Sequence, residues 1–196
     1  MEYQDPLVLF DKWYQAHLEN GEFEPTAMTL ATVDEQGMPR ARVVLLKQHD
    51  EKGFCFFTNY QSRKAQDLME SPKASLVFHW PKPIHRQVRI SGLVEKMSRE
   101  ESQGYFKSRN RGSQIGAWAS PQSQPIKSRQ DLEDAVDKFE REFAGKNVPC
   151  PEHWGGFRLR PLIVEFWESQ SHRLHDRMRW FREDLNEKWQ QERLAP

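Results

Sequence analysis

Between Thr26 and Met97 the chain alternates short extended-type segments with mostly turn-length links, and this pattern confines it to a largely antiparallel sheet. Thr26 to Val33 is rich in Thr, Met, Leu and Val. Asp34-Glu35-Gln36-Gly37 has turn chemistry, and Arg40 to Lys47 runs extended again, so the two segments predict a hairpin. His49 to Gly53 predicts a further turn, followed by a strand over Phe54 to Thr58. Lys73 to Trp80 and Arg86 to Met97 flank a Pro81/Pro83 loop as another pair. Phe157 to Trp167, Arg173 to Arg182 and Lys188 to Leu194 predict three closing strands, with Pro161 marking an edge or a bulge.

Helical signals punctuate this pattern. Residues 5–20 predict a helix capped by Asp5, with Pro6 at its first position, Leu9, Trp13 and Ala16 on one face, and Gly21 as its stop. Ser62 to Ser71 predicts a short helix with Ala65, Leu68 and Met69 inward. Ser98 and Glu101 have capping-box spacing and open a helix over Arg99 to Ser108. Arg109 to Gln124 predicts a loop with one helical turn at most. Ser128 caps a longer helix through Phe143, with Leu132, Ala135, Val136 and Phe139 at helical spacing. The expected fold is α+β, mainly antiparallel β, curled into a barrel with peripheral helices. One domain is expected over 1–196, with 1–20 as an N-terminal helical segment.

A mean hydropathy of −0.89 borders on the disordered range. Seven Trp, four Tyr and twelve Phe argue for a packed core instead. The longest aliphatic run is Val43-Val44-Leu45-Leu46, too short to span a bilayer as a helix, and no membrane association is expected. The first residues lack a signal-peptide pattern, and Cys55 and Cys150 are too few for a disulfide framework, so the cytoplasm is the expected compartment. Lys+Arg and Asp+Glu balance at 29 each, yet residues 40–113 carry 15 basic and 7 acidic side chains. A basic half within a neutral chain suits an anionic ligand or a solvated charge pattern, and no nucleic-acid motif accompanies it.

Four groups of residues carry possible chemistry. Arg42 and Lys47 end an apolar strand and can reach over its rim. Arg63 and Lys64 sit at the start of a helix, where the macrodipole favours negative charge; a bound phosphate resolves the conflict, as does an exposed, solvated pair. Tyr105 and Arg109 share a helix face and Ser113 follows, a set suited to a phosphate ester or to a plain surface helix end. Trp167 precedes Arg173, His175 and Arg177, which in a strand project to one side, either toward an anionic aromatic ligand or by chance alternation. No metal site is expected, since no cysteine pair or His-Glu-x-x-His occurs, and Rossmann, P-loop and serine-hydrolase fingerprints are absent.

Taken in order, Pro25-Thr26-Ala27-Met28, Arg42 to Lys47, Ser62-Arg63-Lys64-Ala65, Arg86-Gln87-Val88, Ser113-Gln114-Ile115-Gly116-Ala117-Trp118, Trp154-Gly155-Gly156-Phe157, Glu165-Phe166-Trp167 and Arg173-Leu174-His175-Asp176-Arg177 resemble the pyridoxine/pyridoxamine 5'-phosphate oxidase family. The resemblance implies a split β-barrel homodimer holding two FMN molecules between subunits. It implies oxidation of pyridoxamine 5'-phosphate and pyridoxine 5'-phosphate to pyridoxal 5'-phosphate, with O2 as acceptor and H2O2 released, in vitamin B6 synthesis and salvage. Arg42, Lys47, Arg63, Lys64, Gln87, Gln122, Ser123, Trp167 and Arg177 match cofactor positions, with the backbones of Val43, Val44, Leu45, Leu46, Phe57 and Thr58. Lys47, Tyr105, Arg109 and Ser113 match the substrate-phosphate clamp, and Arg173 and His175 the residues at the reacting ring. Phe57 departs from a Tyr of some members, Glu168 from a more usual Gln or His. Little precedes Asp5 where members often carry a longer arm over the substrate.

Overall fold

In the computed structural model, residues 4–19 and 24–196 are described; the expected stop at Gly21 lies outside them. Helix α1 (Pro6–Glu19) opens the fold, with Asp5 Oδ1 accepting the Leu7 amide at 2.8 Å as the cap requires. Its inward face carries Leu9, Phe10 and Trp13. The Phe10 ring stands edge-on to Phe54 at 4.7 Å and to Phe78 at 5.1 Å.

Strands β1 (Ala27–Val33) and β2 (Pro39–Leu45) form the expected hairpin. The region expected as a turn at His49 also holds a short strand, β3 (Gln48–Asp50), paired to β4 (Gly53–Asn59). Helix α2 (Arg63–Glu70) follows, then β5 (Lys73–Trp80) and β6 (Arg86–Lys96). In α2, Ala65 and Leu68 are buried as expected, but Met69 is 49% exposed. Asp67 takes the inward position instead, accepting hydrogen bonds from Thr32 Oγ1 at 2.7 Å and Arg40 Nη1 at 2.9 Å.

Helix α3 (Arg99–Ser108) carries the capping box of Ser98 and Glu101. Helix α4 (Arg111–Ala119) replaces the expected loop. Its two glycines lower helix propensity, but the Asn110 side chain caps it by accepting the Ser113 amide at 2.8 Å, and Ile115 is buried. Helix α5 (Arg129–Glu142) starts at a second capping box, Ser128 with Asp131.

Strand β7 (Trp154–Glu168) organises the rest. Its first half pairs with β4, its second half with β8 (Asp176–Phe181), and β6 runs along its other edge. Strand β9 (Gln190–Leu194) closes on β8. The sheet order is β2-β1-β5-β6-β7-β4-β3, with β8 and β9 off that path. This antiparallel, curling sheet with flanking helices is the split β-barrel architecture.

Pro161 is buried at a bulge rather than on an edge: the register jumps from Ser91↔Ile163 to Gly92↔Pro161. A Cβ on Gly92 would lie 2.0 Å from the Arg160 carbonyl oxygen, so the two backbones approach as closely there as glycine alone permits. Strand β8 begins three residues later than expected. Ser171–Arg173 forms a 3-10 turn, with His172 at φ 58 and Arg173 at φ 61. Arg173 and His175 therefore precede the strand and do not alternate with Arg177 along it.

The main core lies between the sheet and α1. A second cluster of Phe106, Ile115, Phe143, Val148 and Trp154 packs α3 and α4 onto the start of β7. Among the described residues no helix is long and apolar enough to cross a membrane.

Candidate active site

A cavity of about 420 Å³ opens where the ends of β2 and β4 meet the first turn of α2, the end of α3, and α4. Val43, Val44, Leu45, Lys47, Phe57, Thr58, Lys64, Tyr105, Arg109, Ser113 and Gln122 all border it. Two distant stretches of sequence thus supply one rim. The strand ends give backbone and small polar groups; the helices give cations and hydroxyls.

Lys64 is held on one side. Its Nζ donates to Thr58 Oγ1 at 3.2 Å, Ser62 Oγ at 3.3 Å and Gln122 Oε1 at 3.3 Å. Gln122 Oε1 also accepts from the Thr58 hydroxyl at 2.8 Å and the Asn59 amide at 3.3 Å. These partners are neutral oxygens. Burial first, and then the nearby Arg42 charge, push the Lys64 ammonium below the usual lysine range. An ammonium with no ion-paired carboxylate among the described residues, at the start of a helix lacking a side-chain cap, is a ready anion subsite.

Arg109 stands on the other side. Its guanidinium lies over the Trp154 ring at 4.7 Å and the Phe106 ring at 5.7 Å. Its Nη1 is buried and has no hydrogen-bond partner. Burial is the first cause lowering the Arg109 pKa, partly offset by Tyr105 and Cys150. Burial also raises the Tyr105 phenol, opposed by Arg109, which keeps the hydroxyl protonated as a donor. The Asn110 cap fixes Ser113 in the first turn of α4, on the rim of the same cavity. Tyr105, Arg109 and Ser113, whose spacing left a phosphate clamp and a plain surface helix end both open, thus border one cavity.

The remaining sequence-predicted residues lie elsewhere in the protomer. Arg42 donates to Thr32 Oγ1 at 2.7 Å and lies 3.6 Å from Asp67. Arg63 borders a separate pocket with Asp34, Asp67 and Glu70. Leu46 is buried in the main core, and Ser123 is exposed at φ 69. Gln87, Trp167 and Arg177 share one cross-strand row, through the pairs Gln87↔Trp167 and Trp167↔Arg177. His175 packs on Trp167 with ring centroids 4.6 Å apart, and its Nδ1 accepts the Gln170 amide at 3.2 Å. Arg177 is bound to the buried Glu165 at 2.8 Å and donates to the Ala195 carbonyl at 2.8 Å. None of this row borders the cavity of Lys64 and Arg109.

Trp154 also borders the cavity, a place that the string Trp154-Gly155-Gly156-Phe157 does not by itself assign to it. The two glycines beside it are the signal. A Cβ on Gly156 would lie 2.8 Å from the Phe57 ring, so that position must stay bare for the ring to sit flat. Among the described residues no group of three or more His, Cys, Asp or Glu is placed to hold a metal ion.

Residues 14–141 match the family model described as pyridoxamine 5'-phosphate oxidase. Residues 154–196 match that of the pyridoxine 5'-phosphate oxidase C-terminal dimerisation region. The pyridoxine/pyridoxamine 5'-phosphate oxidase of Microcystis aeruginosa is 50% identical over 192 residues, covering 98% of this chain and 89% of that protein. That of Salinibacter ruber is 52% identical over 194 residues, with the same shares covered. Among solved structures, PhzG from Burkholderia lata, in complex with tetrahydrophenazine-1-carboxylic acid, aligns with a TM-score of 0.93 at 29% identity, covering 100% of this chain and 94% of that one. A pyridoxamine 5'-phosphate oxidase-related, FMN-binding protein from Nostoc punctiforme shares the fold, with a TM-score of 0.77 at 18% identity over 98% of each chain.

Proposed function

The chain belongs to the pyridoxamine 5'-phosphate oxidase family, and from that membership we propose that it oxidises pyridoxamine 5'-phosphate and pyridoxine 5'-phosphate to pyridoxal 5'-phosphate with bound FMN. The observation that carries this reading is a pair of cations on one cavity. Lys64 is met by neutral oxygens, and Arg109 keeps a buried nitrogen unpaired. Uncompensated charge away from water is costly, and two phosphates on two aromatic guests offset it. The donor set fits a phosphorylated flavin at Lys64 and a phosphorylated pyridine at Arg109.

Lys64 and Lys47 hold the cofactor phosphate side, with Thr58 and Gln122 as neutral partners; Arg42, Arg63 and Ser123, expected there from the sequence, lie off this cavity and are not assigned to it. The backbones of Val43 to Leu45 and of Phe57 line its bed. Bound FMN would supply a two-electron acceptor for the hydride leaving the substrate's C4' carbon, with O2 as the final acceptor and H2O2 as its product. The oxidised amine substrate is an imine, which water hydrolyses to the aldehyde and ammonia, while the alcohol substrate gives the aldehyde directly.

The protein contributes alignment. Lys47, Tyr105, Arg109 and Ser113 grip the substrate phosphate, far from the reacting carbon, and that binding energy holds the ring in place. Arg173 and His175 orient the ring. A second copy of the chain brings them, with Gln87, Trp167 and Arg177, to the cavity of the first. The dimerisation description over 154–196 and the position of this row away from the cavity both support that assembly.

The test is the visible spectrum of the purified protein, followed by anaerobic addition of pyridoxamine 5'-phosphate. A flavin band that bleaches, and one H2O2 per aldehyde on readmitting O2, is the expected result. A flavin that binds but never bleaches would leave a binding protein and overturn the oxidase reading.

A further inference from the structure

Phe57, Tyr105 and Trp154 form a group of near-parallel rings beside the cavity. Phe57 lies 4.0 Å from Tyr105 at an interplanar angle of 19°, and 5.4 Å from Trp154 at 12°. Tyr105 and Trp154 are inclined by only 7°. Trp154 is 5% exposed and stands edge-on to Phe106 at 5.0 Å, so its indole is fixed from two directions. Arg109 rests on that indole at 4.7 Å.

A guanidinium has planar donors whose aim depends on the surface beneath it. Arg109 Nη1 is buried without a partner, so no hydrogen bond at that nitrogen sets its direction. The indole face supplies the constraint instead: cation–π attraction holds the guanidinium flat, and desolvation strengthens it. The same stack holds the Tyr105 ring.

Resting on the oxidase reading above, we propose that Trp154 is a positioning residue for the substrate phosphate. By fixing Arg109 and, through Phe57, Tyr105, it sets the preference for phosphorylated over unphosphorylated pyridines. Gly156 belongs to the same device, because it leaves the space that Phe57 occupies. The clamp is thereby formed before the ligand arrives, and little ordering is required on binding.

The experiment compares FMN-loaded wild type, Trp154→Leu and Trp154→Phe by calorimetry with 4-deoxypyridoxine 5'-phosphate and 4-deoxypyridoxine. Neither ligand has an oxidisable group at C4'. In Trp154→Leu the ratio of the two dissociation constants should fall about tenfold, the loss expected for a desolvated cation–π contact. Trp154→Phe should recover most of that ratio, because an aromatic face returns. If both ligands weaken in parallel, Trp154 is merely structural and the proposal fails; an unchanged ratio overturns it as well. Should Trp154→Leu not fold, Phe57→Leu is read in the same way, since it unstacks both neighbours. Wild-type turnover of pyridoxamine 5'-phosphate tests the oxidase reading separately, and its absence leaves the measured ratio interpretable.

Discussion

Lys64 Nζ lies 3.3 Å from Gln122 Oε1, joining the first turn of α2 to the segment after α4 across 58 residues. The contact seats the ammonium in a neutral cage at the cavity rim. Its charge then depends on pH in a way an exposed lysine's does not.

Burial and Arg42 lower the Lys64 pKa. An ammonium attracts a phosphate and a neutral amine does not. FMN affinity should therefore hold below that lowered pKa and weaken as pH rises through it, before the ordinary lysine range is reached. Flavin fluorescence titrations from neutral to alkaline pH read this directly. Lys64→Arg should move the loss to higher pH, because guanidinium stays charged. An identical pH profile in the two proteins would remove Lys64 from the phosphate.

Arg109→Ala should weaken phosphorylated substrate while leaving FMN in place. A hydrogen bond to a charged partner contributes about 1.5–3 kcal/mol, so KM should rise at least about tenfold. Loss of flavin during purification, with an unchanged KM after reconstitution, would contradict the assignment.

Much of this site was legible before the fold. Arg63 and Lys64 break the usual charge rule at a helix start, and that conflict pointed to an anion. The structure divides the pair: Lys64 faces the cavity, while Arg63 faces Asp34 and Glu70. Helix α4 was not legible, because Gly112 and Gly116 obscured it and tertiary burial of Ile115 decides it. The strand expected from Arg173 failed for a different reason. Alternating residue types suggested extended backbone, but His172 and Arg173 adopt positive φ, which side-chain pattern does not report. Trp154 was visible as a string and not as a function, since stacking geometry arises only when β4, β7 and α3 meet.

Arg173→Ala should lower kcat/KM by at least about tenfold, or ~1.4 kcal/mol. Arg173 is exposed in the protomer, so thermal stability should change by no more than about 0.5 kcal/mol. Wild-type turnover in the variant would refute its place at the ring. A large fall in melting temperature would instead mean that the residue supports the turn before β8.

Gly156→Ala tests whether the ring stack and the clamp are one unit. The added methyl would lie 2.5 Å from Met97 Sδ and 2.8 Å from Phe57 Cε1. Met97 ends in a flexible thioether and can shift. Phe57 cannot move as easily, because Tyr105 and Trp154 hold its ring in near-parallel contact. Overpacking of this kind costs about 1–3 kcal/mol. Urea unfolding of Gly156→Ala should show a lower midpoint at an unchanged slope, the product of slope and midpoint falling by that free energy. The displaced Phe57 should also release Tyr105, so KM for pyridoxamine 5'-phosphate should rise in the folded fraction. A stability loss without any change in KM would separate the packing of β7 from the aim of the clamp, and would show that Tyr105 keeps its place without the stack.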